Sequence, residues 1–571
     1  MLKSIVRRVC EPCNGLPAPP LLQRIYAARA VRLPHELQRE LRLLTPPTAL
    51  LNMERAVDLL HTALRERWRL LIIADFDADG ATSCALAVRA LRAMGVAWVG
   101  YRVPNRFAHG YGLTPEIVTI AAEDQPDLLI TVDNGISSHA GVKTAQALGM
   151  KVLITDHHSP GSELPPAEGI VNPNLPGDAF PSKNIAGVGV IFYVMMALRA
   201  RLREAGWFAE RRLAEPNLAR FLDLVAFGTV ADVVRLDHHN RILVEQGLRR
   251  IRQGHCVPGI TALCEVTSRP QIRLSAGDIG FYLGPRLNAA GRLEDMSQGI
   301  ECLLSDNLEA ARKIARRLHE INRQRGELTV EMETQALARI DRLAPEVDKL
   351  PFGLCLFDPE WHQGVVGIIA GRLKERLNRP VIVFATDRDG NIKGSGRSVP
   401  GMHLRDALAA VATQNPGLIS HFGGHAMAAG LTLAMEHFDL FNQAFDAETR
   451  QWLSDDDLHG RLLSDGELAP DEFTLEIAEL LREGGPWGQG FPEPLFDGVF
   501  EVLSHQVMKE KHLKLFLRLP GNGARLEAVA FNQVAAFRPG TARVRIAYQL
   551  DVNEWQGQRR LQLRVAHLEA A

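Results

Sequence analysis

A chain of 571 residues is too long for one hydrophobic core, so about three or four domains are expected. A formal net charge of −2 excludes a strongly basic DNA-coating protein, although it is compatible with a local basic groove. No apolar run reaches membrane-spanning length, and the charged start (MLKSIVRRVCEPC) does not resemble a secretory signal. Seven cysteines favour a reducing cytoplasm over a disulfide framework, and the pair Cys10 and Cys13 is interpreted as incidental.

The first group of functional interest follows a leader. Residues 1–50, rich in proline, leucine and arginine, are predicted to be an N-terminal leader interrupted by loops. The segment Leu70–Ser83 (LLIIADFDADGATS) then has an apolar run typical of a buried strand, followed by Asp75, Asp77 and Asp79. Carboxylates this close raise one another's pKa unless a cation lies among them. The segment is therefore either a hard-cation site at the end of a strand or a solvated acidic turn.

Later segments favour the cation site. Three further strand-like runs end in a carboxylate or an imidazole: Asp127–Gly135 in Asp133, Lys151–His158 in Asp156, His157 and His158, and Asp223–Val234 in Asp232. Helical stretches at Ala81–Met94 and Ser138–Gly149 alternate with the first three runs, which predicts a parallel sheet. Because the carboxyl ends of parallel strands meet at one edge, we expect these side chains to share one cleft.

The rest of the chain predicts further domains. A pattern almost free of proline and glycine from Asn307 to about Arg342 predicts a long connecting helix. A strand–helix–strand pattern from Leu350 to about Leu453 predicts a second α/β domain, and the acidic stretch after it is interpreted as a linker. Short alternating segments in the last hundred residues, such as HLKLFLRL, predict a small β-barrel. The basic segment Arg312–Arg325 is either part of a nucleic-acid groove or a solvated helix face.

The ordered motifs resemble a known superfamily. DFDADG, VDNG, DHH and GTVAD are similar to the motifs of the DHH phosphoesterase superfamily. RVPNRFAHGYGL, GPRLNAAGR, WHQGVVGIIAGR, GSGRS and FGGHAMAAG look specifically like the RecJ family of that superfamily, from about Leu50 to the C-terminus. The resemblance implies an α/β multidomain protein: a 1–50 leader, a parallel-sheet DHH catalytic domain at 51–305, a connecting helix at 306–345, a DHH-associated domain at 346–455, and an OB-fold-like DNA-binding barrel at 456–571.

The resemblance also implies an activity. RecJ relatives are single-stranded-DNA-specific 5′→3′ exonucleases that release 5′-mononucleotides in recombination and repair, through two-metal in-line attack by an activated water. The implied partners are single-stranded DNA, single-strand-binding protein and a helicase, with no membrane, for a monomeric cytoplasmic enzyme. Two alternatives stay open. One is a pyrophosphatase, cyclic-dinucleotide hydrolase or nanoRNase of the same superfamily, and the other is a non-catalytic nucleic-acid binder.

Residue roles follow from the same resemblance. Asp133 bridges two ions, Asp77 and one neighbour bind one of them, and Asp79, His157 and Asp232 bind the other. The assignment of Asp75, Asp77 and Asp79 to particular ions is left open. Oxygen-rich ligation with a single imidazole suits Mn²⁺ or Mg²⁺. The implied catalytic groups are Asp133, Asp156, His157 and His158. Asp156 and His158 would orient His157 and contact the scissile phosphate, or they would have only capping and packing roles.

Substrate-binding residues are predicted outside the acidic motifs. Arg286 and Arg292 offer forked donors suited to phosphate on either side of Asn288, in a motif that resembles the RecJ segment holding the 5′ end. The remaining predicted substrate-binding residues are Ser395 and Arg397 in GSGR, His425 in FGGH, and Arg106 and Tyr111 beside the terminal bases.

Overall fold

The computed structural model describes residues 4–9, 11, 15–343, 349–388, 390–519, 521, 523–555 and 557–571. They divide into two compact units. The larger unit comprises residues 10–322 and 480–493, and the smaller unit comprises residues 1–9, 323–479 and 494–571. Cys10 and Cys13, interpreted above as an incidental pair, lie outside the described residues. Within the described ranges, no helix has both the length and the apolar character needed to cross a membrane.

The helices and strands are numbered in chain order. The helices are α1 (Pro20–Ala27), α2 (Met53–Arg65), α3 (Ala78–Ala93), α4 (Pro115–Ala122), α5 (His139–Ala147), α6 (Gly187–Glu204), α7 (Trp207–Glu210), α8 (Leu222–Ala231), α9 (His238–Arg252), α10 (Pro258–Val266), α11 (Ala276–Asp278), α12 (Gly284–Leu293), α13 (Ser297–Leu304), α14 (Leu308–Leu343), α15 (Val366–Leu377), α16 (Leu404–Gln414), α17 (Phe438–Trp452) and α18 (Leu475–Glu483). The strands are β1 (Ser4–Arg7), β2 (Arg69–Ala74), β3 (Trp98–Arg102), β4 (Leu128–Val132), β5 (Lys151–Thr155), β6 (Gly169–Val171), β7 (Leu354–Phe357), β8 (Val381–Thr386), β9 (Ile392–Arg397), β10 (His421–Gly424), β11 (Ala428–Leu433), β12 (Arg461–Ser464), β13 (Phe496–Met508), β14 (His512–Arg518), β15 (Arg525–Ala530), β16 (Arg543–Trp555) and β17 (Gln558–Ala570).

The larger unit contains the predicted parallel sheet. Its strands lie in the order β3-β2-β4-β5-β6, and every neighbouring pair is parallel. All five residues of β4 are buried, as expected when helices cover both faces of a sheet. The strand β3 and the helix α4, which lie between β2 and β4 in the chain, were not predicted from the sequence. The prediction of a parallel-sheet α/β unit is confirmed.

One of the four predicted strands is wrong. The segment Asp223–Val234 forms the helix α8, and Asp232 lies directly after it as the C-cap residue. Eight of the ten residues of α8 are buried, so the helix is surrounded on nearly all sides by the core. An apolar run without a polar face does not distinguish a buried helix from a buried strand. Asp232 therefore reaches the site from the end of a helix.

The predicted long helix is present as α14, and three arginines of its basic segment form ion pairs with glutamates. In the larger unit, an Arg312 guanidinium nitrogen lies 2.7 Å from a Glu265 oxygen, and Arg317 pairs with Glu294. In the smaller unit, Arg323 pairs with Glu327 at 2.7 Å. These ion pairs favour the solvated helix face over a nucleic-acid groove for residues 312–325.

The smaller unit combines a mixed sheet with a closed barrel. The sheet order is β10-β11-β9-β8-β7, in which β7 and β8 are parallel and the other pairs are antiparallel. The strands β7 and β8 and the helix α15 are the predicted strand–helix–strand unit. The barrel closes in the order β13-β14-β15-β17-β16, which confirms the predicted OB-like barrel.

The predicted linker after residue 453 contains a strand. β12 pairs in parallel with β1, and Ser4 lies opposite Arg461. Beside this ribbon, the buried Asp497 of β13 accepts hydrogen bonds from Arg7 Nε at 3.0 Å, Ser464 Oγ at 2.6 Å and Arg545 Nη2 at 3.3 Å. The linker interpretation is wrong there because two four-residue strands far apart in the sequence leave no local signal.

Candidate metal centre

The DFDADG motif forms the turn between β2 and α3. Asp75 follows β2 and is buried. Asp77 caps α3, since its Oδ1 accepts hydrogen bonds from the backbone N–H groups of Asp79 at 2.9 Å and Gly80 at 3.0 Å. The three aspartates are therefore held by a strand end and a helix start, and not by a solvated turn.

Asp79 points toward the start of a different helix. Its carboxylate accepts hydrogen bonds from the backbone N–H groups of Gly187 at 2.6 Å and Val188 at 3.0 Å, which open α6. A Cβ atom at Gly187 would lie 2.6 Å from Asp133 Cβ, and one at Gly228 would lie 2.7 Å from Asp79 Oδ1. Both glycines thus let backbone approach the carboxylates. Neither glycine was predicted from the sequence, although the repeated glycines of GVGV and the glycine of GTVAD were the available signal.

Asp133 is fixed by strained backbone at the end of β4. Its φ is +63°, in the left-handed region that non-glycine residues seldom adopt. The next residue, Asn134, donates from Nδ2 to the carbonyl oxygens of Ile73 at 3.0 Å and Val132 at 2.9 Å, which ties the ends of β2 and β4 together. Strain of this kind collects at functional sites.

His157 connects the two halves of the acidic cluster. Its Nε2 lies 3.0 Å from Asp133 Oδ1 and 3.5 Å from Asp232 Oδ2. Potential ligand atoms fall within 4.8 Å of one another in three groups: Asp75, Asp77 and Asp133; Asp79, His157 and Asp232; and Asp133, His157 and His158. The structure therefore brings together all six residues predicted to bind metal.

The electrostatics of the cluster favour a bound cation. Burial, followed by the charge of Asp77, raises the pKa of Asp75 well above its usual range, and burial and neighbouring aspartates do the same for Asp133 and Asp232. The pKa of Asp79 is raised to about 7, again first by burial. Among the described residues, nothing donates a hydrogen bond to the buried Asp75 Oδ1, and Asp133 Oδ1 lies 3.0 Å from His157 Nε2 without a well-aligned hydrogen bond. These oxygens fit divalent cations that prefer oxygen ligands.

Asp156 orients His158. One Asp156 oxygen lies 2.7 Å from His158 Nδ1 and accepts the backbone N–H of His157 at 2.7 Å, while the other accepts that of Ile136 at 2.9 Å. Burial lowers the pKa of His158, but the Asp156 hydrogen bond and charge outweigh it and raise the pKa to about 9. Asp156 thus favours the protonated form of His158.

Comparisons with known proteins decide the family. The family descriptions "DHH family, N-terminal domain", "DHHA1 domain" and "RecJ OB domain" match residues 69–229, 350–451 and 464–567. The single-stranded-DNA-specific exonuclease RecJ of Escherichia coli (strain K12) is 53% identical over 561 residues, covering 98% of this chain and 97% of the relative. The chain belongs to the RecJ family. The resemblance found in the motifs is thereby confirmed.

Solved RecJ structures share the fold. RecJ from Thermus thermophilus in complex with Mn²⁺ matches with a TM-score of 0.80 at 30% identity, over 97% of this chain and 76% of that one. The complex of the same protein with Mg²⁺ matches with a TM-score of 0.74 at 28% identity, over 97% of this chain and 75% of that one. Both metals are those that the donor set of this chain predicts.

In this RecJ-family chain, the GPRLNAAGR segment supports the acidic turn. Asn288 Oδ1 accepts a hydrogen bond from the backbone N–H of Ala78 at 2.8 Å, and Gly291 of α12 packs against the Phe76 carbonyl. Arg286 Nη1 donates to the Tyr282 carbonyl oxygen at 2.6 Å. Asn288 thus holds the loop that carries the predicted metal ligands, and its contact with substrate stays a prediction. Arg292 lies near the end of the same helix, α12.

Two more predicted substrate residues lie beside the cluster. The Tyr111 hydroxyl lies 3.3 Å from the Asp133 carbonyl oxygen and 3.4 Å from His158 Nδ1. The Arg106 guanidinium lies over the Phe76 ring, 4.6 Å from its centroid. These contacts place both side chains next to the carboxylates of the larger unit.

The other predicted substrate residues belong to the smaller unit. Arg397 Nη1 donates to Ser395 Oγ at 3.2 Å, and burial lowers the pKa of Arg397. A Cβ atom at Gly367, at the start of α15, would lie 2.8 Å from that Oγ. The exposed His425 follows β10, in the turn that leads to β11. Ser395 and Arg397 therefore form a compact polar group, with His425 in a turn of the same sheet.

Proposed function

We propose that this RecJ-family chain is a Mn²⁺- or Mg²⁺-dependent exonuclease that degrades single-stranded DNA from its 5′ end to 5′-mononucleotides, in recombination and repair. The observation that supports it most is the buried carboxylate cluster centred on Asp133, which belongs to two groups of potential ligands. Two adjacent divalent ions can activate a water and stabilise the attacking and leaving oxygens at phosphorus.

The proposal gives each residue a position in that chemistry. Asp75, Asp77 and Asp133 would form one ligand set, and Asp79, His157 and Asp232 would form the other. Asp133, whose Oδ1 lies 3.0 Å from His157 Nε2, would be the carboxylate shared by the two ions. The Asp79 carboxylate is held by the N-terminal N–H groups of α6, which fix its oxygens.

The groups around the ligands would bind the DNA. His158, whose protonated form Asp156 favours, would supply a positive charge for the scissile phosphate. Arg106 and Tyr111 would contact the terminal nucleotide. Arg286, Arg292, Ser395, Arg397 and His425 are proposed to contact the strand as well, by the residue-by-residue likeness to RecJ motifs.

The direct test uses end-labelled DNA. Purified protein with Mn²⁺ is given single strands labelled at the 5′ or the 3′ end, the corresponding duplex, and di- and trinucleotides. We expect immediate release of labelled mononucleotide from the 5′-labelled single strand and little attack on the duplex. Preferential release from the 3′ end would contradict the direction. A preference for di- and trinucleotides would instead favour a nanoRNase.

Asp133→Ala is the matched inactive variant. It should abolish nucleotide release while single-strand binding persists, which would also exclude a non-catalytic binding protein. A variant as active as the wild type would contradict the central role of Asp133.

We also propose that the enzyme acts as a monomer in the cytoplasm, beside single-strand-binding protein and a helicase that supplies the strand. The five cysteines in the described part of the chain are free thiols, in keeping with a reducing compartment. Sedimentation with and without single-strand-binding protein would test both the monomer and that partner.

A further inference from the structure

The helix that carries GPRLNAAGR is interrupted by a wider turn. Between α11 and α12, the residues Ile279–Leu283 form a π-helical turn. Turns of this kind are rare and frequently lie at functional sites. This one presents two aromatic side chains to solvent: Phe281 is 80% exposed and Tyr282 is 37% exposed. An aromatic ring as exposed as Phe281 gains nothing from the core, so packing does not explain it.

The turn packs against the helix that ends at the metal centre. A Cβ atom at Gly280 would lie 3.5 Å from Val230 Cγ1, and one at Gly284 would lie 3.2 Å from Ala231 Cβ. Both contacts fall on the last two residues of α8, and the next residue is Asp232. The exposed rings are therefore attached to the segment that positions a predicted metal ligand.

Guanidinium groups accompany the rings. The Arg269 guanidinium carbon lies 3.5 Å from the centroid of the Tyr282 ring, which is a close cation–π contact. The Nε atoms of Arg269 and Arg286 are buried and have no hydrogen-bond partner among the described residues. Arg269 Nη1 also lies 3.6 Å from a carboxylate oxygen of Asp278. The surface is therefore both aromatic and positively charged.

We propose that Phe281 and the Arg269–Tyr282 pair form a stacking platform for bases of the single strand, beside the metal centre. This inference rests on the proposed function. Every base offers a flat face to an aromatic ring, so stacking does not depend on the base sequence. An exonuclease that removes successive nucleotides requires such tolerance. The neighbouring guanidiniums and the continuity with α8 favour a nucleic acid over a protein partner as the occupant.

The test compares strands with and without bases. Phe281→Ala removes the exposed ring, Phe281→Trp keeps a larger one, and Leu148→Ala is the matched control. Leu148 is 54% exposed but caps the C-terminal end of α5, at the sheet edge opposite the metal centre. Each protein is assayed for kcat and KM on a normal single strand and on a strand of equal length with a continuous abasic stretch.

We expect Phe281→Ala to raise KM for the normal strand about tenfold, the typical effect of losing one stacking contact, with kcat little changed. The difference in KM between Phe281→Ala and the wild type should disappear on the abasic strand. On the normal strand, Phe281→Trp and Leu148→Ala should have the KM of the wild type. The quenching of a fluorescent 2-aminopurine base on binding should also weaken in Phe281→Ala.

Three results would overturn the platform. One is an unchanged KM in Phe281→Ala, and another is an equal loss on normal and abasic strands. The third is a loss of self-association in Phe281→Ala by sedimentation, which would assign the ring to a second copy of the chain. A wild-type protein that does not degrade single strands would instead contradict the proposed function, so the two failures are distinguishable.

Discussion

Two buried aspartates, one in each unit, have opposite electrostatic surroundings. Asp133 and Asp497 are each 1% exposed. Around Asp133, burial and four other aspartates raise the pKa well above its usual range. Around Asp497, burial also raises the pKa, but hydrogen bonds from Arg7, Ser464 and Arg545 outweigh it and lower the pKa. The smaller unit thus contains a carboxylate that its own arginines neutralise, and the larger unit contains a cluster of carboxylates whose mutual repulsion favours the binding of cations from solution.

The difference assigns a stabilising role to Asp497 and a functional role to the carboxylates around Asp133. A buried carboxylate with arginine partners contributes to folding, whereas a cluster of buried carboxylates opposes folding until cations bind. Removing a carboxylate should therefore lower the folding stability of the smaller unit. In the larger unit without metal, it should leave the folding stability unchanged or raise it.

The largest effect is expected for Asp232→Ala. Losing a ligand from the cluster should reduce nuclease activity by about 10³-fold or more, because metal ligation contributes several kcal/mol at the transition state. The melting temperature without metal should stay the same or rise, since one of several repelling charges is gone. Steady-state kinetics and calorimetry check both. If Asp232→Ala is unfolded, Asp232 stabilises the fold. The larger unit would then not differ from the smaller unit in how its buried carboxylate affects folding.

The next effect is a dependence of stability on pH. The pKa of Asp79 is about 7 in the folded protein and 3.8 in its ordinary state, so folding takes up a proton between these values. That contribution is fully present below about pH 4 and is lost as the pH rises to about 7. Each pKa unit corresponds to about 1.4 kcal/mol, so a loss of a few kcal/mol is expected.

Calorimetry in a chelator at pH 5 and pH 7.5 measures this change. Added Mn²⁺ should raise the melting temperature more at pH 7.5 than at pH 5, and Asp79→Asn should reduce both differences. Asp497 should act in the opposite direction, because its lowered pKa gives stability above about pH 4 that is lost in stronger acid. A metal effect that does not depend on pH would contradict this view of the cluster.

The side chains of the acidic cluster could be predicted from the sequence, whereas the glycines and backbone elements that position them could not. The acidic and histidine residues were predicted because each follows an apolar run, and the carboxyl ends of parallel strands converge. Asp232 was placed at a strand end because an all-round apolar run does not reveal its period. Gly187 escaped notice because its role is a close approach of backbone to Asp133, which depends on tertiary packing. The β1–β12 pairing escaped because its strands are short and distant in the chain.

A smaller effect is expected for Asp497→Asn. This change removes charge-assisted hydrogen bonds from Arg7 and Arg545, so the smaller unit should lose about 2 kcal/mol of stability. Nuclease activity well below the melting temperature should persist. Glu501→Gln is the matched control, because its 3.2 Å pair with Arg518 joins side chains that are 50% and 52% exposed, where a pair contributes about 0.5 kcal/mol. Equal losses in the two variants would show that the Asp497 cluster is no more than a surface pair.

The smallest effect is expected for Asn288→Ala, which tests a neutral side chain at the charged site. The hydrogen bond from the Ala78 N–H to Asn288 Oδ1 contributes about 1 kcal/mol, so its loss should loosen the turn between Asp77 and Asp79. We expect activity to fall by about tenfold at low Mn²⁺ and to recover as Mn²⁺ is increased, because a loosened turn weakens metal binding first. If KM for DNA rises and the Mn²⁺ requirement does not change, Asn288 contacts the strand, as its motif had suggested. The titration thus separates support of the carboxylates from contact with the phosphates.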